Sequence, residues 1–169
     1  LLLRRGRRPW PATVLSAALF LGGIHAPYAA LPGRELTLTA LNVGKGASHV
    51  VSFPGGGPML IDGGSALRGN AGERAVLPFL RCRGIRRIDV LALTHPHEDH
   101  YGGAAAVLAA LPVREIWIPE GIPREAFGPA VASWAGLVRT VRAGVRERFG
   151  GAEVVVRAPA NPGEGGKAN

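Results

Sequence analysis

The chain has one cysteine, Cys82, in 169 residues. That excludes an internal disulfide and a cysteine metal cluster, and leaves the redox compartment unmarked. Charge of either sign is missing from Trp10 to Leu31. Histidine and aspartate are absent after His100, so no later strand of this chain supplies an imidazole or an aspartate to a site. The net charge is +8, but Arg4, Arg5, Arg7 and Arg8 supply half of it. The remaining body is only mildly basic, which argues against a strong overall field as the means of selecting nucleic acid. No base-reading or stacking motif is visible. What is present is a globular composition, 47% apolar with 25 glycines and 14 prolines, enough for about one domain of short elements and many turns.

The uncharged run follows "LLLRRGRRPW". As a helix it would reach about 33 Å, near the thickness of a bilayer's hydrocarbon core. Trp10 and Tyr28 stand near its ends, where amphipathic rings prefer the interface, and the arginines before it mark the cytoplasmic side. The reading adopted is a basic cytoplasmic flank over 1–9 and a transmembrane helix over 10–31, with everything after it outside the cytoplasm. A cleaved signal peptide has the same order of basic and apolar regions, and "APYAA" resembles a cleavage site. A buried soluble helix is disfavoured by Pro11, Pro27 and the Gly22-Gly23 pair. His25 reads as an interfacial or helix-packing residue. The sequence starts on Leu and stops in the loop-like "ANPGEGGKAN", which gives the expectation of a piece of a longer protein.

Residues 34–159 form the expected domain, with 160–169 as a loop. "ELTLTALNV" (35–43), "HVVSFP" and "PMLIDGGS" read as three strands joined by glycine-rich turns, an antiparallel meander. "AGERAVLPFLRCRGI" has helical spacing and a glycine stop at Gly84, with Pro78 either kinking it or lying in its first turn. The apolar run Val90 to Leu93 fits a strand covered on both faces. "GGAAAVLAAL" predicts a helix and "VREIWIPEG" a strand. "PREAFGPAVASWAGLVRTVRAGVRERFG" predicts a long helical stretch, and "AEVVVRAP" a last strand. Hairpins first and β-α alternation afterwards imply a mixed sheet with helices packed on it, an α/β layered domain. Arg81, Arg83, Arg86 and Arg87 are the densest basic patch, read as a solvated helix end that complements the helix dipole, with a nucleic-acid backbone as the alternative.

The chemistry concentrates in "LTHPHEDHYGG". His95, His97, Asp99 and His100 crowd six positions at the end of a buried strand, where α/β folds bind ligands. Imidazole nitrogen and carboxylate oxygen suit Zn²⁺ and similar divalent ions. Alternate side chains of a turning segment project to one side, so His95 and His97 can converge on one ion, with Asp99 and His100 reaching a second. Paired ions of this kind activate a water for hydrolysis. Gly102 and Gly103 are expected to permit a tight turn into the next helix. The alternative, a polar loop that happens to be rich in histidine, would suit one histidine better than this cluster.

"THPHEDH" resembles the His-x-His-x-Asp-His signature of the metallo-β-lactamase fold superfamily. "LTALNVGKGASHVVSFPGGGPMLIDGGS" and "LRCRGIRRIDVLALTHPHEDHYGG" are similar to the extracytoplasmic hydrolase domain of ComEC-type DNA-uptake competence proteins. The resemblance implies the first half of an αββα sandwich after one transmembrane helix, and two divalent ions, zinc with manganese as the alternative. It implies His95 and His97 on the first ion and Asp99 and His100 on the second. Asp99 would also orient the attacking water, His97 would join it as a catalytic residue, and Asp62 would accept a hydrogen bond from behind the ligands. A turn-forming role before glycine is the other reading of Asp62. Asn42, Lys45 and Ser48 stand where that family usually has Asp, Gln and Asp, and the family commonly has Asp at the place of His97. His49 reads as a strand surface residue. The later histidines and bridging aspartate of the superfamily have no counterpart here, since Glu115 and Glu120 do not match the pattern. The expected partners are a membrane and single- or double-stranded DNA, and the expected activity is phosphodiester hydrolysis. The rivals are a non-catalytic DNA-transport module and a secreted metallohydrolase acting on a lactone, thioester or β-lactam.

Overall fold

Alternating apolar residues in short runs, separated by glycine turns, set up the sheet before any helix appears. The structure, a computed structural model, describes residues 35–157 apart from Arg68. The basic flank 1–9, the apolar run 10–31 and the loop 160–169 lie outside the described residues. Strands β1 (Thr37–Ala40), β2 (His49–Ser52) and β3 (Met59–Ile61) pair antiparallel, as the meander reading expects. Helix α1 (Leu77–Cys82) leads to β4 (Ile88–Ala92), a single helical turn α2 (Glu98–Tyr101) and α3 (Ala104–Ala110). Then come β5 (Val113–Pro119), a 3₁₀ turn (Arg124–Phe127), α4 (Gly128–Ala132) and β6 (Leu137–Val141). A hairpin of β7 (Arg146–Phe149) and β8 (Ala152–Val155) ends the described part. The first six strands form one sheet in chain order, antiparallel up to β3 and parallel from β3 to β6.

The long helix expected within 123–150 does not form. Gly128 sits at φ 83°, and Pro129 follows it, so helical structure there is confined to two short pieces. Beyond them, Val138, Thr140 and Val141 are β-branched, and the open edge of β5 offers them a ladder; Ile116 pairs with Val138 and Ile118 with Thr140. Residues 146–149 pair with β8 in a second sheet. Tertiary partners overrode a helical spacing that the sequence does contain.

Pro78 is accommodated by a local widening. The segment Gly72–Val76 is a π-turn, with the Leu77 N–H donating to the Gly72 carbonyl five residues back. A proline just after such a turn loses no obligatory donor and escapes the usual clash. The helix then stops on Gly84 at φ 67°. Ile85 N–H donates to Leu80 O at 2.8 Å and Gly84 N–H to Arg81 O at 3.0 Å, the paired closing bonds of a left-handed glycine cap. Arg81, Arg83, Arg86 and Arg87 are exposed around this end, and Arg87 Nε lies 3.3 Å from Asp89.

Both faces of the sheet are covered. Val50, Leu60, Leu91 and Ile116 face Val76, Leu77 and Leu80, Val107 of α3 and Val131 of α4. On the other face, Val51, Met59, Val90 and Trp117 pack with Phe53 and with Phe149 of the hairpin. Phe149 stacks on Phe53 at 4.8 Å between ring centres. Burial of this apolar area is the main driving term of the fold. The result is helix layer, sheet and start of a second sheet, which meets the α/β expectation. Among the described residues no helix is long and apolar enough to cross a membrane.

Candidate metal centre

Because β3 and β4 run parallel, their C-terminal ends lie side by side. Asp62 leaves the first and Thr94 the second, so residues far apart in the chain meet at one rim. Asp62 is 2% exposed and sits at φ 58°, a left-handed conformation that aspartate tolerates better than most residues. Its own N–H donates to Ala92 O at 2.9 Å. Its carboxylate is fully engaged: Oδ1 accepts from Thr94 N–H at 2.9 Å, and Oδ2 accepts from Thr94 Oγ1 at 2.7 Å and from His100 Nδ1 at 2.8 Å. Asp62 thus accepts three hydrogen bonds while occupying a turn conformation.

This network assigns the tautomers. Thr94 has one hydroxyl proton and gives it to Asp62, so towards His95 Nδ1, 2.9 Å away, it can only accept. His95 and His100 therefore both donate from Nδ1, which leaves Nε2 outside this network. A hydrogen-bonded Nδ1–H behind a free Nε2 is the usual arrangement of a metal-ligating imidazole. The three rings of the turn are gathered: His95 lies 4.7 Å from His97 and 3.8 Å from His100 between centres. Burial, then the neighbouring His100 and His97, push the His95 pKa below its ordinary value, outweighing Asp62 and Asp99. A neutral imidazole is the form that binds a cation. The donor chemistry therefore fits a divalent ion. Among the described residues, however, no group of three or more His, Cys, Asp or Glu side chains is placed to hold one ion.

Asp99 is fixed through its backbone, its carbonyl accepting from Ala47 N–H at 3.3 Å. Gly46, at φ 101°, packs so closely that a Cβ there would lie 1.7 Å from that oxygen. The β1–β2 turn thus braces the histidine turn. Ser48 is 1% exposed and donates from Oγ to Asp62 O at 3.0 Å. Asn42 Oδ1 accepts from Gly44 N–H at 3.3 Å within its own turn. The glycine pair after His100 makes the turn between α2 and α3, as expected. Gly102 and Gly103 have ordinary helical φ values, −54° and −73°. They are small because the loop after β3 is pressed against them, a Cβ on Gly103 falling 2.0 Å from Gly63 O.

Sequence reasoning overlooked Thr94, Glu98 and Ser65. Glu98 accepts from Ser65 Oγ at 2.7 Å and from the backbone of Ala66 and Leu67 at 2.6 and 3.1 Å. The available signal was position: Thr94 adjoins His95, and Glu98 stands between His97 and Asp99, whereas Ser65 carries no such mark.

A family model described as the metallo-beta-lactamase superfamily matches residues 41–166. The chain is 34% identical over 98 residues to "ComE operon protein 3" of Bacillus subtilis (strain 168), a match covering 50% of this chain and 13% of that protein. It is 34% identical over 109 residues to "Competence protein ComA" of Neisseria gonorrhoeae, covering 63% and 14%. Among solved structures it is similar to the "Rm3 metallo-beta-lactamase", with a TM-score of 0.45 and 20% identity, covering 68% of this chain and 46% of that one. The matched region thus amounts to about a seventh of those two curated relatives.

Proposed function

Since the chain belongs to the metallo-β-lactamase superfamily, we propose that it is the hydrolase portion of a membrane-anchored DNA-uptake protein, acting on DNA phosphodiesters outside the cytoplasm. The observation that carries the hydrolase part is the pair of imidazoles whose Nδ1 protons are held by Thr94 and Asp62, with Nε2 outside that network. The DNA part rests on similarity to a relative named as a competence protein. The membrane part rests on the uncharged run 10–31 after four arginines.

In this reading His95 and His97 hold one divalent ion, zinc or manganese, and Asp99 and His100 a second. Such ions supply water activation and neutralise the charge that develops on a phosphoryl oxygen. The protein's own contribution is orientation. Asp62 fixes the plane of the His100 ring and Thr94 that of His95, so neither has to reorganise when the substrate arrives. The carboxylate of Asp99 would help orient the attacking water, and His97, exposed on the turn, would join it as a catalytic residue.

The test is metal content, measured by elemental analysis on the full chain purified with zinc or manganese present. Wild type is expected to retain divalent metal, and His95→Ala and Asp99→Ala each to retain markedly less. Equal content in all three would end the metal-centre reading. A second reading, a transport module without catalysis, draws on the same similarity to a relative named as a competence protein. Metal that is retained without any phosphodiesterase activity would select it.

A further inference from the structure

The Glu98 carboxylate stands between His97 and Asp99, yet it is turned onto the segment that follows β3. Oε2 accepts from Ser65 Oγ at 2.7 Å, while Oε1 accepts from the N–H groups of Ala66 at 2.6 Å and Leu67 at 3.1 Å. Ser65 Oγ also accepts from Leu67 N–H at 3.1 Å. Three successive residues of a loop are thereby tied to one side chain of the histidine turn. Charge-assisted bonds of this kind are the stronger class, and holding a loop rigid costs conformational entropy that some gain must offset.

What this clamp presents is Leu67, 79% exposed. The other exposed large apolar residues, Leu36, Leu38 and Leu137, lie on the outermost strands of the sheet or just before them. Leu67 alone among these four belongs to a loop pinned to the histidine turn. An apolar side chain kept in solvent by a backbone immobilised against the histidine turn has the composition of a binding site, which pairs apolar lining with a few placed polar groups.

Building on the hydrolase reading, we infer that Ser65–Leu67 forms a substrate-binding wall of the centre, with Leu67 its apolar contact and Glu98 the positioning residue that holds it. The substrate class is an ester whose non-reacting part carries a flat apolar ring, such as a nucleobase or an aryl group.

The experiment uses the full chain and p-nitrophenyl thymidine 5′-phosphate as the probe. Leu67 methyl resonances of wild type are expected to shift on titration. The probe's Kd is expected to rise about fivefold in Leu67→Ser, the loss of one apolar contact of modest area. Glu98→Gln is expected to weaken the probe similarly and to raise amide exchange at Ala66 and Leu67 about tenfold, because a neutral amide replaces the acceptor. Leu67→Phe is expected to restore binding, and Leu137→Ser to leave it at the wild-type value. Where turnover is measurable, the effect of Leu67→Ser falls on KM more than on kcat. An unchanged Kd in Leu67→Ser, or unchanged exchange in Glu98→Gln, overturns the inference. Metal analysis of the same samples separates the two ideas. Wild type with metal and turnover but an unaffected Leu67→Ser sinks this inference alone. Wild type without metal sinks the hydrolase reading, and the probe titration then decides the wall by itself.

Discussion

Replacing Asp62 by alanine is expected to destabilise the chain by about 4 kcal/mol, read as a lower denaturant midpoint at unchanged slope. The carboxylate takes three donors, and the residue is almost wholly buried. Truncation leaves the Thr94 N–H and the His100 Nδ1–H without a partner, and each such orphan costs about 1–3 kcal/mol. It also places a β-carbon residue with no local side-chain bond at φ 58°, which adds about 1 kcal/mol. Asp62→Asn separates these effects. Asparagine tolerates the left-handed backbone and keeps Oδ1 for the Thr94 N–H, so about 2 kcal/mol should be lost. The His100 ring, no longer met by an acceptor, should lose its fixed tautomer, which nitrogen chemical shifts would report. A loss of only about 1 kcal/mol in Asp62→Ala with Asp62→Asn at the wild-type value would show that the backbone conformation, not the network, carries the effect.

Gly46→Ala is expected to be nearly as damaging, by about 3 kcal/mol or more, whereas Gly44→Ala should cost only about 1 kcal/mol. Both glycines have positive φ, 101° and 76°, so the intrinsic backbone penalty is shared. The difference is space. A Cβ on Gly46 would lie 1.7 Å from the Asp99 carbonyl oxygen, while one on Gly44 meets nothing within 4 Å. The obstacle at Gly46 is backbone, which cannot rotate aside, so either the β1–β2 turn or the histidine turn must move. Loss of the Ala47–Asp99 hydrogen bond should appear as faster amide exchange at Ala47 in Gly46→Ala only. Similar melting temperatures for the two variants would refute the packing argument.

The parts of this molecule that could be read from sequence are those whose information is local. The run Val90 to Leu93 announced a doubly covered strand, and Val90 and Leu91 are indeed at 0% exposure. The histidines announced themselves because four donors stand within six consecutive positions. Gly84 marked a helix end for the same reason. What escaped depends on separations that no window spans. Thr94 and His100 reach Asp62 across 32 and 38 residues, and Glu98 reaches Ser65 across 33. The stretch 123–150 misled because its alanines, valines and leucines do recur at helical spacing. Only the free edge of β5 decides that Leu137–Val141 extends instead, and an edge is a property of the assembled sheet. Gly102 and Gly103 were recognised as a turn, but the loop after β3 pressed against them was not, since close approach of a distant segment leaves no mark beside the residue that must be small.

The switch at β3 from antiparallel to parallel pairing has a kinetic consequence. The hairpins β1–β2–β3 close over short loops and can form early, whereas β3 meets β4 only after a crossover through α1. Loop closure of that length comes late and slowly. Asp62 arrives with the early unit, and Thr94 and His100 with the late one. A nascent or partly refolded chain would thus carry the His95 and His100 rings unoriented until β3 and β4 pair.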